Sequence, residues 1–264
     1  MTVLTRFLRD RRRSLGWWSL GVIGFVFMQL AFYPSFKNQP QFDDLFNDLP
    51  EGVKALIGAS GLSLREPAGY LHSQVFTTLL PIILLIFAIA LGARAIGGSE
   101  DDGTIELLLA NPVSRVRTAV ERAAATAALV SALGAIATIG LIAVAAPFQL
   151  LEGVSVAKLV AACLAATSLA LLHASIAYFV GAAFGGRVRA ISVAATVAVA
   201  GYVLFGLVSS GVMRGARFAS PWYWYLDRNI VAKGPGAEAI FLPLGLAVAF
   251  AAAGVWRFVP RDLR

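Results

Sequence analysis

The amino-acid sequence predicts an all-α membrane protein with six transmembrane helices. Of its 264 residues, 58% are hydrophobic and only 14% are charged, which is far too apolar for an ordinary soluble domain. Charged residues divide the chain into six apolar runs, and about 20 helical residues suffice to cross a bilayer core. The predicted spans lie at about 14–36, 70–96, 118–147, 158–184, 190–210 and 239–258, within a single domain of residues 1–264.

Basic residues are concentrated at the ends of these runs, and they predict the orientation. The net charge is +7, but this clustering is typical of the positive-inside pattern rather than of nucleic-acid binding. Of the 22 Lys and Arg residues, 14 fall on the side that holds both termini and the connection between the second and third spans. We therefore expect both termini to be cytoplasmic. The RDRRR sequence before the first run indicates a signal anchor that is retained.

The segment from Ser99 to Arg117 is the only strongly charged amphipathic stretch between two apolar runs. Ser99 is predicted to cap a short helix that has three acidic residues in its first turn, where the helix dipole favours negative charge. Its predicted apolar face consists of Ile105, Leu108 and Leu109, with Glu106 on the other face. Such a face can pack against the membrane domain, lie at the lipid interface or dock on a cytoplasmic partner.

The end of this helix is also predicted from local sequence. Asn111-Pro112 should stop it, because proline lacks an amide hydrogen and restricts the residue before it. Ser114 is then placed to cap the next helix.

Two neighbouring motifs carry a resemblance to a known family. Gly103 to Leu109 (GTIELLL), followed by Asn111 to Arg115 (NPVSR), resembles the GTLELLL and PVSR signature of type 2 ATP-binding-cassette permeases. In that family this segment holds the coupling helix, which sits in a cleft of a separate ATPase subunit. The resemblance assigns ATPase coupling to Glu100, Gly103, Thr104, Glu106, Leu108, Leu109 and Arg115.

The resemblance implies a permease subunit of an ATP-driven exporter in a bacterial cell membrane, with a path for a lipophilic or amphipathic substrate. Its implied partners are an ATP-binding-cassette ATPase subunit, a second or related permease and membrane lipid, with no nucleic acid. No cofactor is expected on this chain; ATP and Mg would be bound by the partner ATPase. The sequence contains no G-x-x-x-x-G-K-[ST] loop and no H-E-x-x-H motif, so no catalytic or metal-binding residue is predicted. The alternatives are an intramembrane enzyme or an ATP-independent channel or carrier.

Two segments on the outer side also have counterparts in the family. Residues 50–58 predict a short interfacial helix with Val53, Leu56 and Ile57 on its apolar face, acting either as a gate or as a passive lid. The aromatic run from Pro221 to Tyr225 (PWYWY) predicts an interfacial anchor rather than a site of substrate stacking. Pro81 is expected to kink the second span.

Polar side chains inside the spans are the default candidates for a translocation path. They are Gln29, Gln74, His173 and Ser175. For His173, the competing interpretation is a neutral imidazole hydrogen-bonded to a neighbouring helix. The Gly181-x-x-x-Gly185 pair indicates either close packing within the chain or dimerisation, with the former favoured.

Overall fold

The computed structural model describes residues 3–37, 49–58, 63–110 and 112–262, and all of its regular elements in these ranges are helices. Six of these helices are long and apolar enough to cross a membrane, which confirms the predicted all-α, six-span class. In chain order the α-helices are α1 (Val3–Lys37), α2 (Glu51–Leu56), α3 (Pro67–Asp101), α4 (Thr104–Leu109), α5 (Arg115–Ala145), α6 (Val156–Phe184), α7 (Arg187–Ser209), α8 (Pro221–Leu226) and α9 (Ala237–Phe258). A 3₁₀-helix, Arg214–Ala219, lies between α7 and α8.

The six long helices extend beyond several of the predicted spans. α1 begins at Val3 rather than at 14, because the helix continues through the arginine-rich N-terminal segment. α3 runs through Asp101, five residues past its predicted end at 96. Charged residues end an apolar run but do not end a helix, because Arg and Glu are good helix formers.

Helix α6 lies at the centre of the bundle and packs against α3, α5, α7 and α9. Its contacts are close because small residues face each other. A Cβ atom on Gly92 of α3 would lie 2.1 Å from the carbonyl oxygen of Ala174, and one on Gly134 of α5 would lie 2.2 Å from the Thr167 hydroxyl. Gly181 approaches Gly97 in the same way, so the first glycine of the Gly-x-x-x-Gly pair packs within the chain.

The bundle has two ends of different chemistry. The basic end comprises the start of α1, the end of α3 with α4, the start of α5, the turn between α6 and α7, and residues 259–262 after α9. The aromatic end comprises α2, the start of α3, the end of α7 and α8. This arrangement places α4 and both ends of the described chain on the same side of the bundle.

Proline 81 lies just after a π-helical stretch, Leu71–Leu79, inside α3. Residue 81 would donate its amide to the carbonyl of Phe76 in a π-helical hydrogen bond, but proline has no amide hydrogen. The Tyr225 hydroxyl of α8 donates to the Phe76 oxygen instead, at 2.8 Å. A residue 149 positions away therefore satisfies the acceptor that the proline leaves open.

Candidate functional site: the coupling segment at the basic end

The transition from α3 to α4 is made by a glycine, and this corrects the predicted helix start. Ser99 does not cap a helix; it lies within α3, where its hydroxyl donates to the Arg94 carbonyl at 3.1 Å. The chain turns at Gly103, whose φ of +66° is readily adopted only by glycine, and Gly103 is the residue that precedes α4. The capping signal at Ser99 was overridden because the long span continues through it.

The start of the next helix agrees with the sequence prediction. The Ser114 side chain accepts a hydrogen bond from the Arg117 amide at 3.2 Å and caps α5. Asn111, the predicted stop residue, lies outside the part of the chain that the structure describes. α4 itself ends at Leu109, just before Asn111-Pro112.

Helix α4 presents a different apolar residue to its surroundings from those predicted. Ile105 is fully buried against the bundle, whereas Leu107 is 73% exposed. Glu106 is exposed, Leu108 is half-buried, and the side chain of Leu109 lies outside the described part of the chain. Leu107 was not among the residues predicted for the apolar face. Helical periodicity could have identified it, because residues two apart in a helix point about 200° apart. The burial of Ile105 therefore turns Leu107 outward.

An ion pair and two charge-assisted hydrogen bonds attach the segment from Ser99 to Arg117 to the rest of the bundle. Glu100 forms an ion pair with Arg261, and both side chains are largely buried. The Asp101 carboxylate accepts the backbone amide of Arg187, at the start of α7, at 2.7 Å. Arg115 donates to the carbonyl oxygen of Arg261 at 2.6 Å. These bonds join the α3–α4 turn to α5, to α7 and to the segment after α9.

These contacts locate the remaining residues predicted for coupling. Glu100 points inward to Arg261 rather than toward solvent, and Arg115 also bonds within the chain. The Thr104 hydroxyl donates to the Ser99 carbonyl at 3.0 Å and closes the turn around Gly103. Leu107 and Glu106 therefore belong to the exposed face of the segment, together with residues 101–104.

The four polar residues predicted for a translocation path do not form one group. Gln29 of α1 donates to Gln74 of α3 at 3.3 Å, so these two lie together. Ser175 borders a separate cavity of about 170 Å³ between α5, α6 and α9. His173 is fully buried, and its Nδ1 lies 2.8 Å from the Leu169 carbonyl of its own helix, not of a neighbouring helix as expected.

The aromatic run also packs into the bundle, a role that the predicted interfacial anchor did not include. Trp222 and Tyr225 are only 2% and 1% exposed. The Trp222 indole donates to the Ala198 carbonyl of α7 at 3.0 Å, as Tyr225 does to Phe76 of α3. Burial raises the pKa of the Tyr225 phenol, which keeps it a neutral donor. Two of the four aromatic residues of α8 point into the bundle. Because the four are consecutive in the sequence, no periodic pattern indicates which two are buried.

The outer helix α2 rests on α7 through part of the predicted face, because Leu56 packs against Gly206 whereas Val53 faces outward. Val53 is 41% exposed, whereas Gly52 is buried and packs against the backbone of Gly206. The Tyr202 hydroxyl of α7 donates to the carbonyl of Leu56. Beside α2, a cavity of about 590 Å³ opens between it, the end of α7 and the segment from α8 to Lys233.

Comparison with known families agrees with this architecture. A family model described as "ABC-2 family transporter protein" matches residues 1–263. No curated protein and no solved structure gives a significant match. The family match covers all six spans and the coupling segment together.

Proposed function

This chain belongs to the ABC-2 transporter family, and on that premise we propose that it is the membrane subunit of an ATP-driven exporter that couples to a separate ATPase through α4. Membership in this family supports the role of a membrane permease subunit of an ABC transporter. Such subunits are generally not catalytic. The proposal adds three things: the surface that meets the ATPase, the direction of transport and the kind of substrate.

The exposed face of α4 is the observation that carries the proposal. Leu107 is 73% exposed and next to the exposed carboxylate of Glu106, at the basic end of the bundle. An exposed leucine beside a carboxylate on a short helix gives the apolar contact that helix-in-groove docking uses. The positive-inside pattern supports a cytoplasmic location for this end, where an ATPase binds its nucleotide.

The anchoring of α4 supports a mechanical role. A displacement of α4 would be transmitted to α7 through Asp101, and to the segment after α9 through Glu100 and Arg261. Because these helices surround the central α6, a shift at one end changes the packing of several spans at once. In the proposed cycle, closure of the ATPase pair pushes α4, and the two permease bundles rearrange around a central path.

The lining of the membrane-level cavity supports a lipophilic or amphipathic substrate. The cavity of about 170 Å³ beside Ser175 is bordered by alanine, leucine and valine side chains of α5, α6 and α9. Its few polar groups are hydroxyls, among them Ser175 and Thr126. Such a surface favours apolar ligands that carry few hydrogen-bonding groups.

The test is to replace Leu107 with aspartate and compare it with a matched control at the other end. Leu107→Asp should reduce co-purification of the ATPase subunit by about thirtyfold, because an apolar anchor is worth about 2 kcal/mol or more. Transport coupled to ATP hydrolysis in proteoliposomes should fall with it. Val212→Asp is the control, because Val212 is also 73% exposed but lies beyond the end of α7 at the aromatic end.

Folding of both variants can be checked through the single cysteine. Cys163 is 1% exposed, so a thiol-reactive fluorophore labels it only when the bundle opens. Equal loss of the ATPase in both variants, or wild-type protein that recovers no nucleotide-binding subunit, would contradict the proposal. The second result would favour a membrane enzyme or an ATP-independent channel.

A further inference from the structure

A cavity of about 280 Å³ at the basic end is lined by an excess of positive charge. It lies between the first turns of α1, the end of α3, α4 and the start of α5. We call it the arginine pocket. Its charged lining residues are Arg6, Asp10, Arg11, Arg94, Asp102 and Arg122. Four guanidinium groups thus face two carboxylates, and the pocket carries a surplus of positive charge.

Two of these arginines have hydrogen-bonding capacity that the chain does not use. Arg122 is only 8% exposed; its Nη1 donates to the Ala95 carbonyl at 2.6 Å and to the Ser99 hydroxyl. Among the described residues, the buried Nε atoms of Arg122 and Arg11 have no hydrogen-bond partner. A buried donor without an acceptor is costly, and an oxyanion in the pocket would supply the missing acceptors.

The two guanidinium groups are also held near each other. Both lie against the ring of Phe7, at 5.7 Å for Arg11 and 5.6 Å for Arg122. Phe7 is itself buried, so the arrangement does not depend on a mobile surface residue. Arg94 is partly neutralised by Asp102 at 3.5 Å, which leaves Arg6, Arg11 and Arg122 to balance Asp10. Arginine forks of this kind suit the planar, multidentate recognition of phosphate.

The position of the pocket identifies the source of the phosphate. Arg122 is the last charged residue before the apolar part of α5, so the pocket lies where headgroups meet hydrocarbon. Leu107 and Leu108 contribute apolar atoms to the same lining, and Val120 of α5 is 48% exposed nearby in the sequence. Basic pockets between membrane helices on the cytoplasmic side recognise anionic lipid headgroups.

We propose that the arginine pocket binds the phosphate of an anionic phospholipid, whose acyl chains lie along the apolar surface of the bundle. The lipid would then contact α4 directly, through the lining shared by Leu107, Leu108 and Thr104. This site requires no ATPase and no transport, so it stands or falls independently of the proposed function.

The experiment measures lipid retention by the full-length chain in detergent, using native mass spectrometry. Phosphatidylglycerol is titrated against phosphatidylcholine, and inorganic phosphate is added in a separate arm. The test variant is Arg6→Gln with Arg11→Gln. The matched control is Arg9→Gln with Arg12→Gln, which removes the same charge from exposed positions of α1 outside the pocket.

Wild-type protein should retain phosphatidylglycerol in preference to phosphatidylcholine. The test variant should weaken this retention by about a hundredfold, since each hydrogen bond to a charged group contributes about tenfold, and the control by much less because its arginines lie outside the pocket. If the test variant folds poorly by the Cys163 labelling assay, Arg11→Lys replaces it. That variant keeps the charge but loses the guanidinium Nε, and it should weaken retention to a smaller extent.

Three results would overturn the proposal. Equal weakening by both double variants would show that the attraction is only the general charge of α1. Retention of inorganic phosphate as strong as that of phosphatidylglycerol would identify a free anion as the ligand. Absence of a preference for phosphatidylglycerol would leave the pocket to an acidic side chain of a partner protein.

Discussion

The bonds that join neighbouring helices differ between the two ends of the bundle. At the basic end, Glu100, Asp101 and Arg115 form ionic or charge-assisted contacts to α7 and to the segment after α9. At the aromatic end, Trp222 and Tyr225 donate neutral hydrogen bonds to backbone carbonyls of α7 and α3. Neither donor at the aromatic end is more than 2% exposed.

This difference separates a rigid end from an adjustable one. Neutral hydrogen bonds in a dry interior cannot be replaced by water without opening the bundle, and they keep their strength in salt. At the basic end the hydrogen bond from the Arg187 amide to Asp101 is exposed, so salt screens it and water can replace it at modest cost. The basic end is therefore the end suited to movement when a partner binds, and α4 lies there.

The largest effect is expected at the rigid end. Tyr225→Ala should lower the free energy of unfolding by about 3–5 kcal/mol, because it leaves a cavity and an unpaired Phe76 carbonyl. Tyr225→Phe keeps the ring and should cost about 1–2 kcal/mol, since only the hydrogen bond is lost. Labelling of Cys163 by a thiol-reactive fluorophore, followed in detergent as the temperature rises, compares the stability of both variants with that of the wild-type protein. Tyr223→Phe is the comparison, because Tyr223 is half-buried and its hydroxyl bonds to the Asp227 side chain rather than to a backbone carbonyl.

If Tyr225→Phe had no more effect than Tyr223→Phe, the hydroxyl would not be compensating for Pro81. The two ends would then differ in packing alone.

An intermediate effect is expected from the ion pair that anchors the coupling segment. Its two side chains are 10% and 16% exposed, between a surface pair and a fully buried one. Glu100→Gln should therefore cost about 2 kcal/mol, and Arg261→Gln a similar amount. The same labelling assay, run on both single variants and the double variant, yields their coupling energy.

High salt should reduce that coupling energy while leaving the cost of Tyr225→Phe unchanged. A coupling energy near zero would show that Glu100 and Arg261 do not link α3 to the end of the chain. The basic end would then depend on backbone contacts such as that between Asp101 and Arg187.

The smallest effect is expected on the surface of the basic end. Arg117 and Glu121 form an i,i+4 pair at 2.7 Å, with the arginine side chain 58% exposed. Arg117→Gln should cost only about 0.3–0.5 kcal/mol at low salt and nothing measurable at high salt. Glu121 also accepts the Leu4 amide of α1 at 2.8 Å, so Glu121→Gln serves as a comparison. A loss above that of Glu100→Gln would reverse the proposed ranking of contacts at this end.

The sequence alone predicted the long helices and some of their boundaries. Six apolar runs are sufficient for this, because a backbone in lipid must satisfy its hydrogen bonds within the same segment. Ser114 as the cap of α5 and the break before Pro112 were also predicted, since both depend on residues three or four positions apart. The family resemblance came from the same local pattern around Gly103.

Only the tertiary structure decided which way the short helices turn and what the polar residues contact. α4 and α2 have six residues each, so their buried sides depend on the neighbouring helix and not on periodicity. The pairing of Glu100 with Arg261 spans 161 positions, and that of Tyr225 with Phe76 spans 149. Contacts at such separations depend on how whole helices pack against α6, and no local spacing in the chain encodes that packing.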